Sequence, residues 1–107
     1  MIDGVSDKVK KEMTIVVEAN KITKISKGYL EPERGVEVID LKDKTVLPGL
    51  MDCHVHIEFQ FGKGTYLERF TLNQSDVSFR AVKYAEVTLN AGFTTVRDLG
   101  GSGVNVA

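Results

Sequence analysis

The chain has a single cysteine, Cys53, and only two histidines, His54 and His56, in 107 residues. One cysteine excludes an intrachain disulfide. No apolar run approaches the ~20 residues needed to cross a bilayer, so no membrane role is expected. Neither charge is in excess: 14 basic and 15 acidic residues leave a formal net charge of −1. That balance gives no electrostatic basis for binding nucleic acid or an anionic membrane. Met1-Ile2-Asp3-Gly4 has neither the basic start nor the apolar core of a secretory leader, so a reducing cytoplasm is the expected compartment. Internal repeats and low-complexity tracts are lacking too. Gly100-Gly101-Ser102-Gly103 has no helical pattern after it and does not meet the dinucleotide-binding fingerprint.

What is there is concentrated in one stretch, Pro48-Gly49-Leu50-Met51-Asp52-Cys53-His54-Val55-His56. The apolar Leu50-Met51 pair, entered through Pro48-Gly49, reads as a strand leaving a turn. Alternate side chains of a strand share a face. Asp52, His54 and His56 then line one side, and Cys53, Val55 and Ile57 the other. Two imidazoles on one face can grip a divalent ion through their ring nitrogens. Two solvated histidines on an exposed strand are the plain alternative. Cys53, facing away from the histidines, reads as a buried, inert thiol.

The segments before Pro48 read as short strands. Met13 to Ala19 is rich in β-branched residues and Ile22 to Lys27 follows a turn at Asn20-Lys21, which makes a hairpin. Val36 to Asp40 alternates and Thr45 to Leu47 returns, so another strand pair is expected there. Beyond Pro48 the pattern changes. Leu50 to His56 is a strand, and Glu58 to Asn73 is a long irregular connection around Gly62-Lys63-Gly64. Gln74 to Asn90 is a helix with Val77, Ala81, Tyr84, Ala85, Thr88 and Leu89 on one face and Arg80, Lys83 and Glu86 away from its centre. Asn73 or Ser75 caps its start and Gly92 its end. Phe93 to Leu99 is the returning strand. Strand, helix, strand implies a parallel pair. A strand that delivers metal ligands at its C-terminal end is how a parallel barrel builds a site.

The Pro48–His56 stretch resembles the Pro-Gly-(apolar)-(apolar)-Asp-x-His-x-His signature of the metal-dependent amidohydrolase superfamily. Gly92-Phe93-Thr94-Thr95-Val96-Arg97-Asp98-Leu99-Gly100-Gly101 resembles a second segment, typical of its imidazolonepropionase-like and Xaa-Pro dipeptidase (prolidase-like) branch. The resemblance implies an α/β fold: part of a small β-sandwich over residues 1–47, and over 48–107 the first β-α-β of a (β/α)8 TIM-like barrel. Such a barrel typically needs ~250 residues, so the chain is expected to be the opening portion of a longer hydrolase.

The resemblance further implies that His54 and His56 bind a divalent metal, with zinc expected, in a site of one or two ions. A carboxylated lysine, two more histidines and an aspartate from later strands would complete it. The metal would lower the pKa of a bound water toward ~7. Asp52 matches the motif's aspartate and is read as orienting a ligand or tying the strand to its neighbour. Asp98, near the end of the second barrel strand, is a further candidate for that supporting role, against a plainer one pairing with Arg97 or capping backbone groups. Tyr66, Arg69 and Phe70 are within a loop that could meet substrate. No catalytic acid–base can be placed, and the chain alone is expected to be inert.

The implied reaction is hydrolysis of a C–N amide bond in a small molecule or dipeptide, an Xaa-Pro dipeptide being preferred. A cyclic-amide hydrolase or deaminase of the same superfamily is the rival, and a non-catalytic metal-binding or interaction module stands outside enzymes. An unpaired strand edge and an uncovered helix face make a homo-oligomer an expectation as well.

Overall fold

The computed structural model describes residues 1–100. The chain divides into two compact units, Met1–Pro48 and Gly49–Ala107. The glycine run expected to close the last strand lies, from Gly101 on, outside the described residues.

In the first unit, β1 (Met13–Glu18) and β2 (Lys21–Lys27) form an antiparallel hairpin. Glu18 pairs with Lys21, so the turn is Ala19-Asn20, one residue earlier than the sequence suggests. Ala19 takes the turn with φ 55°. Val16 faces Lys24 and Val17 faces Ile22, which leaves Thr23 as the extra residue of a bulge. Thr14 ties the hairpin to the chain that follows: its hydroxyl donates to the Gly28 carbonyl at 2.7 Å and accepts from the Leu30 amide at 3.2 Å.

Two expected strands are not formed. Val36 to Asp40 and Thr45 to Leu47 are irregular. Local bonds take the place of a ladder. Val36 N–H donates to the Glu33 carbonyl and Lys44 N–H to the Leu41 carbonyl, while the Asp40 carboxylate accepts from Lys42 N–H at 3.0 Å. Val46 meets another segment through its carbonyl, which accepts from Ile2 N–H at 2.8 Å. An alternating pattern becomes a strand only when a neighbour takes up its backbone groups.

In the second unit, β3 (Leu50–Val55) and β4 (Phe93–Asp98) pair in parallel, as a strand–helix–strand order requires. Between them run α1 (Thr65–Thr71) and α2 (Gln74–Asn90). The connection expected to be irregular throughout thus contains a helix. Thr65 starts it: its hydroxyl accepts from Gly62 N–H at 2.7 Å, and Glu68 N–H then donates to the Gly64 carbonyl at 3.0 Å.

The longer helix α2 keeps the boundaries read from its sequence. Asn73 and Asp76 form a reciprocal capping box, with the Asn73 side chain accepting from Asp76 N–H at 3.0 Å and the Asp76 carboxylate from Asn73 N–H at 3.1 Å. Gly92 turns the chain out at φ 97°. The less exposed stripe of α2 is Val77, Ala81, Tyr84 and Thr88, with Ala81 buried, and the helix lies against β4. Ala85 and Leu89, expected on that face, are exposed, whereas Arg80, expected off it, is half-buried. Among the described residues no helix is long and apolar enough to cross a membrane.

Candidate metal centre

Gly49 lets the site's strand sit where it does. A β-carbon built there would overlap the Thr94 side chain, so β3 enters against β4 closer than any side chain would permit. Leu50 N–H donates to the Gly92 carbonyl at 2.8 Å and sets the register. The strand then presents Asp52 and His54, and ends at Val55. His56 is therefore the first residue beyond it.

The two imidazoles come together, with ring centroids 5.4 Å apart and planes at 78°. His54 is exposed and His56 half-buried. Two phenylalanine rings flank His56. Phe59 stacks on it at 5.0 Å and 21°, and Phe61 meets it edge-on at 6.4 Å. Its Nδ1 is buried and has no hydrogen-bond partner among the described residues. Buried polar atoms usually have a partner, and an unpartnered ring nitrogen can serve as a metal donor. Imidazole nitrogens bind zinc at ~2.0–2.1 Å, and two rings this close can share one ion. The pair therefore fits a divalent metal as part of its ligand set. Among the described residues no group of three or more His, Cys, Asp or Glu side chains is gathered to hold one.

The two aspartates act on backbone. Asp52 Oδ1 accepts from His54 N–H at 2.9 Å, bracing the residue that carries the first imidazole. Asp98, at the end of β4, spans two segments: Oδ2 accepts from Ile57 N–H at 2.8 Å and Oδ1 from Gly100 N–H at 2.9 Å. It thus fastens β4 to the residue directly after His56. Leu99 N–H adds a bond to the Val55 carbonyl at 3.2 Å. Arg97 turns elsewhere, with Nε donating to the Cys53 carbonyl at 3.0 Å. Cys53 itself is exposed, contrary to the expectation of a buried thiol. A strand residue is buried only where something lies on its side chain.

Sequence reasoning missed Arg80. It reaches from α2 to α1, where NH1 pairs with Glu68 at 2.7 Å, and to the turn after β3, where Nε donates to the Glu58 carbonyl at 3.3 Å. Glu58 is buried at 4% exposure. The Glu58-x9-Glu68-x11-Arg80 spacing carries no local signal, because the contacts cross a turn and two helices.

Comparison with known proteins gives the chain its family and its relatives. The model of the amidohydrolase family matches residues 45–106, more than half of the chain. A solved structure of a Xaa-Pro dipeptidase with methionine bound in its active site matches 94% of this chain at 40% identity, with a TM-score of 0.85, over 25% of that chain. The 5'-deoxyadenosine deaminase of Methanocaldococcus jannaschii is 39% identical over 50% of this chain. The imidazolonepropionase of Vibrio campbellii is 31% identical over 67%. The matched stretches take up 13% and 16% of those two relatives.

Proposed function

The chain belongs to the amidohydrolase family, whose members are hydrolases acting on C–N bonds, and on that premise we propose that His54 and His56 are metal ligands in a hydrolase that cleaves an amide bond. The observation that carries the reading is the imidazole pair at the end of a parallel strand, with His56 Nδ1 buried and uncommitted. A divalent ion held there, with zinc the best suited to imidazole donors, would supply Lewis acidity toward a carbonyl oxygen and acidify bound water toward neutrality.

The chain's own residues arrange that site. Asp52 fixes the backbone of His54. Asp98 holds the turn after His56 to β4. The strand–helix–strand of the second unit corresponds, in this reading, to the start of a (β/α)8 barrel, whose sites form at the C-terminal ends of its strands. The hairpin unit corresponds to part of a small β-sandwich. In this reading the remaining ligands and the acid–base group belong to other strands of such a barrel.

The preferred substrate is a dipeptide, with Xaa-Pro the leading candidate, because the dipeptidase likeness extends over nearly the whole chain. The second reading, a deaminase or cyclic-amide hydrolase, rests on the deaminase and imidazolonepropionase relatives. Zinc titration against a chromophoric chelator tests the metal assignment. His54→Ala and His56→Ala should each weaken zinc binding at least tenfold, and the double variant should abolish it. Unchanged binding in the double variant refutes the assignment. Hydrolysis of Xaa-Pro dipeptides, set against deamination of adenosine derivatives, by a zinc-loaded protein that carries this segment within a whole barrel separates the substrate readings.

A further inference from the structure

Two side chains, those of Arg80 and Phe59, link α2 to the ring of His56 through the turn after β3. Arg80 Nε donates to the Glu58 carbonyl at 3.3 Å. The next residue, Phe59, lies with its ring 5.0 Å from that of His56 and nearly parallel to it. On its other side Arg80 is anchored by Glu68 of α1 at 2.7 Å, with both side chains partly buried. Its guanidinium also stands 6.0 Å from the Tyr84 ring, one helical turn along α2.

The bonds matter here because the turn is packed on one side and open on another: Glu58 is buried, yet a cavity lies beside it. A cavity of about 120 Å³, lined by Glu58, Phe59, Glu68, Leu72, Val77 and Arg80, lies beside the knot. A segment flanked by open space is located by its directed contacts, since missing neighbours on one side forfeit dispersion there. A planar guanidinium can serve a carboxylate and a carbonyl at fixed angles together, which an ammonium cannot.

We propose that Arg80 is a positioning residue for the metal centre: by holding the Glu58 carbonyl it sets Phe59 against His56 and thereby fixes the orientation of that imidazole. The proposal rests on His56 being a metal ligand, and groups that orient a ligand typically contribute 10–100-fold to metal affinity.

The test measures the His56 ring-proton shifts by NMR without metal, and zinc affinity by chelator competition, in Arg80→Lys and Phe59→Leu. Phe59 lying face-on displaces the His56 ring protons upfield, and Phe59→Leu gives the value without the stack. Arg80→Lys keeps the charge opposite Glu68 but not the planar donor. It should move the His56 shifts toward the Phe59→Leu value and weaken zinc binding about tenfold. Parent-like shifts and affinity in Arg80→Lys overturn the proposal. Should Arg80→Lys not fold, Phe59→Leu decides: an affinity within twofold of the parent overturns it. His56→Ala binding zinc like the parent would refute the metal assignment instead, and the His56 ring shifts in Arg80→Lys would still show whether Arg80 orients the ring.

Discussion

Gly49→Ala should destabilise the second unit, and the structure sets the size of the effect. The added β-carbon would lie 2.7 Å from Thr94 Cβ and closer still to Thr94 Oγ1 and Cγ2. Rotating the Thr94 side chain cannot relieve this, because one of its two heavy branches stays turned toward Gly49 in every staggered rotamer and Cβ is fixed to the backbone. Ordinary carbon contacts lie at ~3.5–4.0 Å, so the entry of β3 must move from β4 by about 1 Å. The bond from Leu50 N–H to the Gly92 carbonyl, 2.8 Å long, opposes that movement. Overpacking of this kind costs about 1–3 kcal/mol. A value near 2 kcal/mol would lower the melting temperature by roughly 10 °C in a domain of this size. Thermal denaturation followed by circular dichroism reads the change. Thr94→Ala should rescue Gly49→Ala only in part, since it keeps Cβ, whereas Thr94→Gly should remove most of the cost. A melting temperature for Gly49→Ala within about 2 °C of the parent, or an undiminished penalty in the Thr94→Gly background, would refute the close-approach argument.

Asn73→Ala removes half of the capping box on α2 and should cost about 1 kcal/mol, with Asn73→Ser recovering most of it; amide exchange in the first turn of α2 checks this, and unchanged protection there refutes it. In the first unit, Lys10, 2.6 Å from Asp3, holds the Asp3 carboxyl far below the usual carboxylate range, with help from the Ser6 and Val5 amides. A depressed folded pKa means stability that is present above the unfolded value of about 3.9 and lost as pH falls below it. The parent should therefore lose melting temperature between about pH 4 and 2 that Asp3→Asn does not. A carboxyl carbon of Asp3 that titrates near 4 by NMR would overturn the assignment.

What the sequence discloses and what it conceals divide along a physical line. Helix α2 could be bounded to the residue because its determinants are local: Asn73 and Asp76 are three residues apart, and Gly92 takes the backbone angle that ends it. The β3–α2–β4 order and its parallel pairing follow from connection length. His-x-His on one face is likewise a statement about covalent neighbours, and the two rings do come within 5.4 Å. Features that depend on a partner were misread. Val36 to Asp40 alternates as a strand should, yet among the described residues it pairs with no strand, and its first amide bonds locally to the Glu33 carbonyl. Cys53, expected to be a buried thiol, is exposed. Helix α1 hid behind Gly62-Lys63-Gly64, which reads as a loop centre, although the threonine just after it is what starts the helix.

The same division runs through the candidate site itself. The sequence places two imidazoles at one strand end, but β3 stops at Val55, so the pleat does not aim the ring of His56. Phe59 aims it, from three residues further along a turn, and Arg80 holds that turn from 24 residues away. A motif therefore identifies metal-binding chemistry before it identifies geometry. The ligand identities are written in consecutive residues, whereas the angle at which the second ligand faces an ion is written in a side chain that no pattern around the motif contains. Substitutions within Pro48–His56 should for that reason alter whether the metal binds, and substitutions at Arg80 or Phe59 how well it is held.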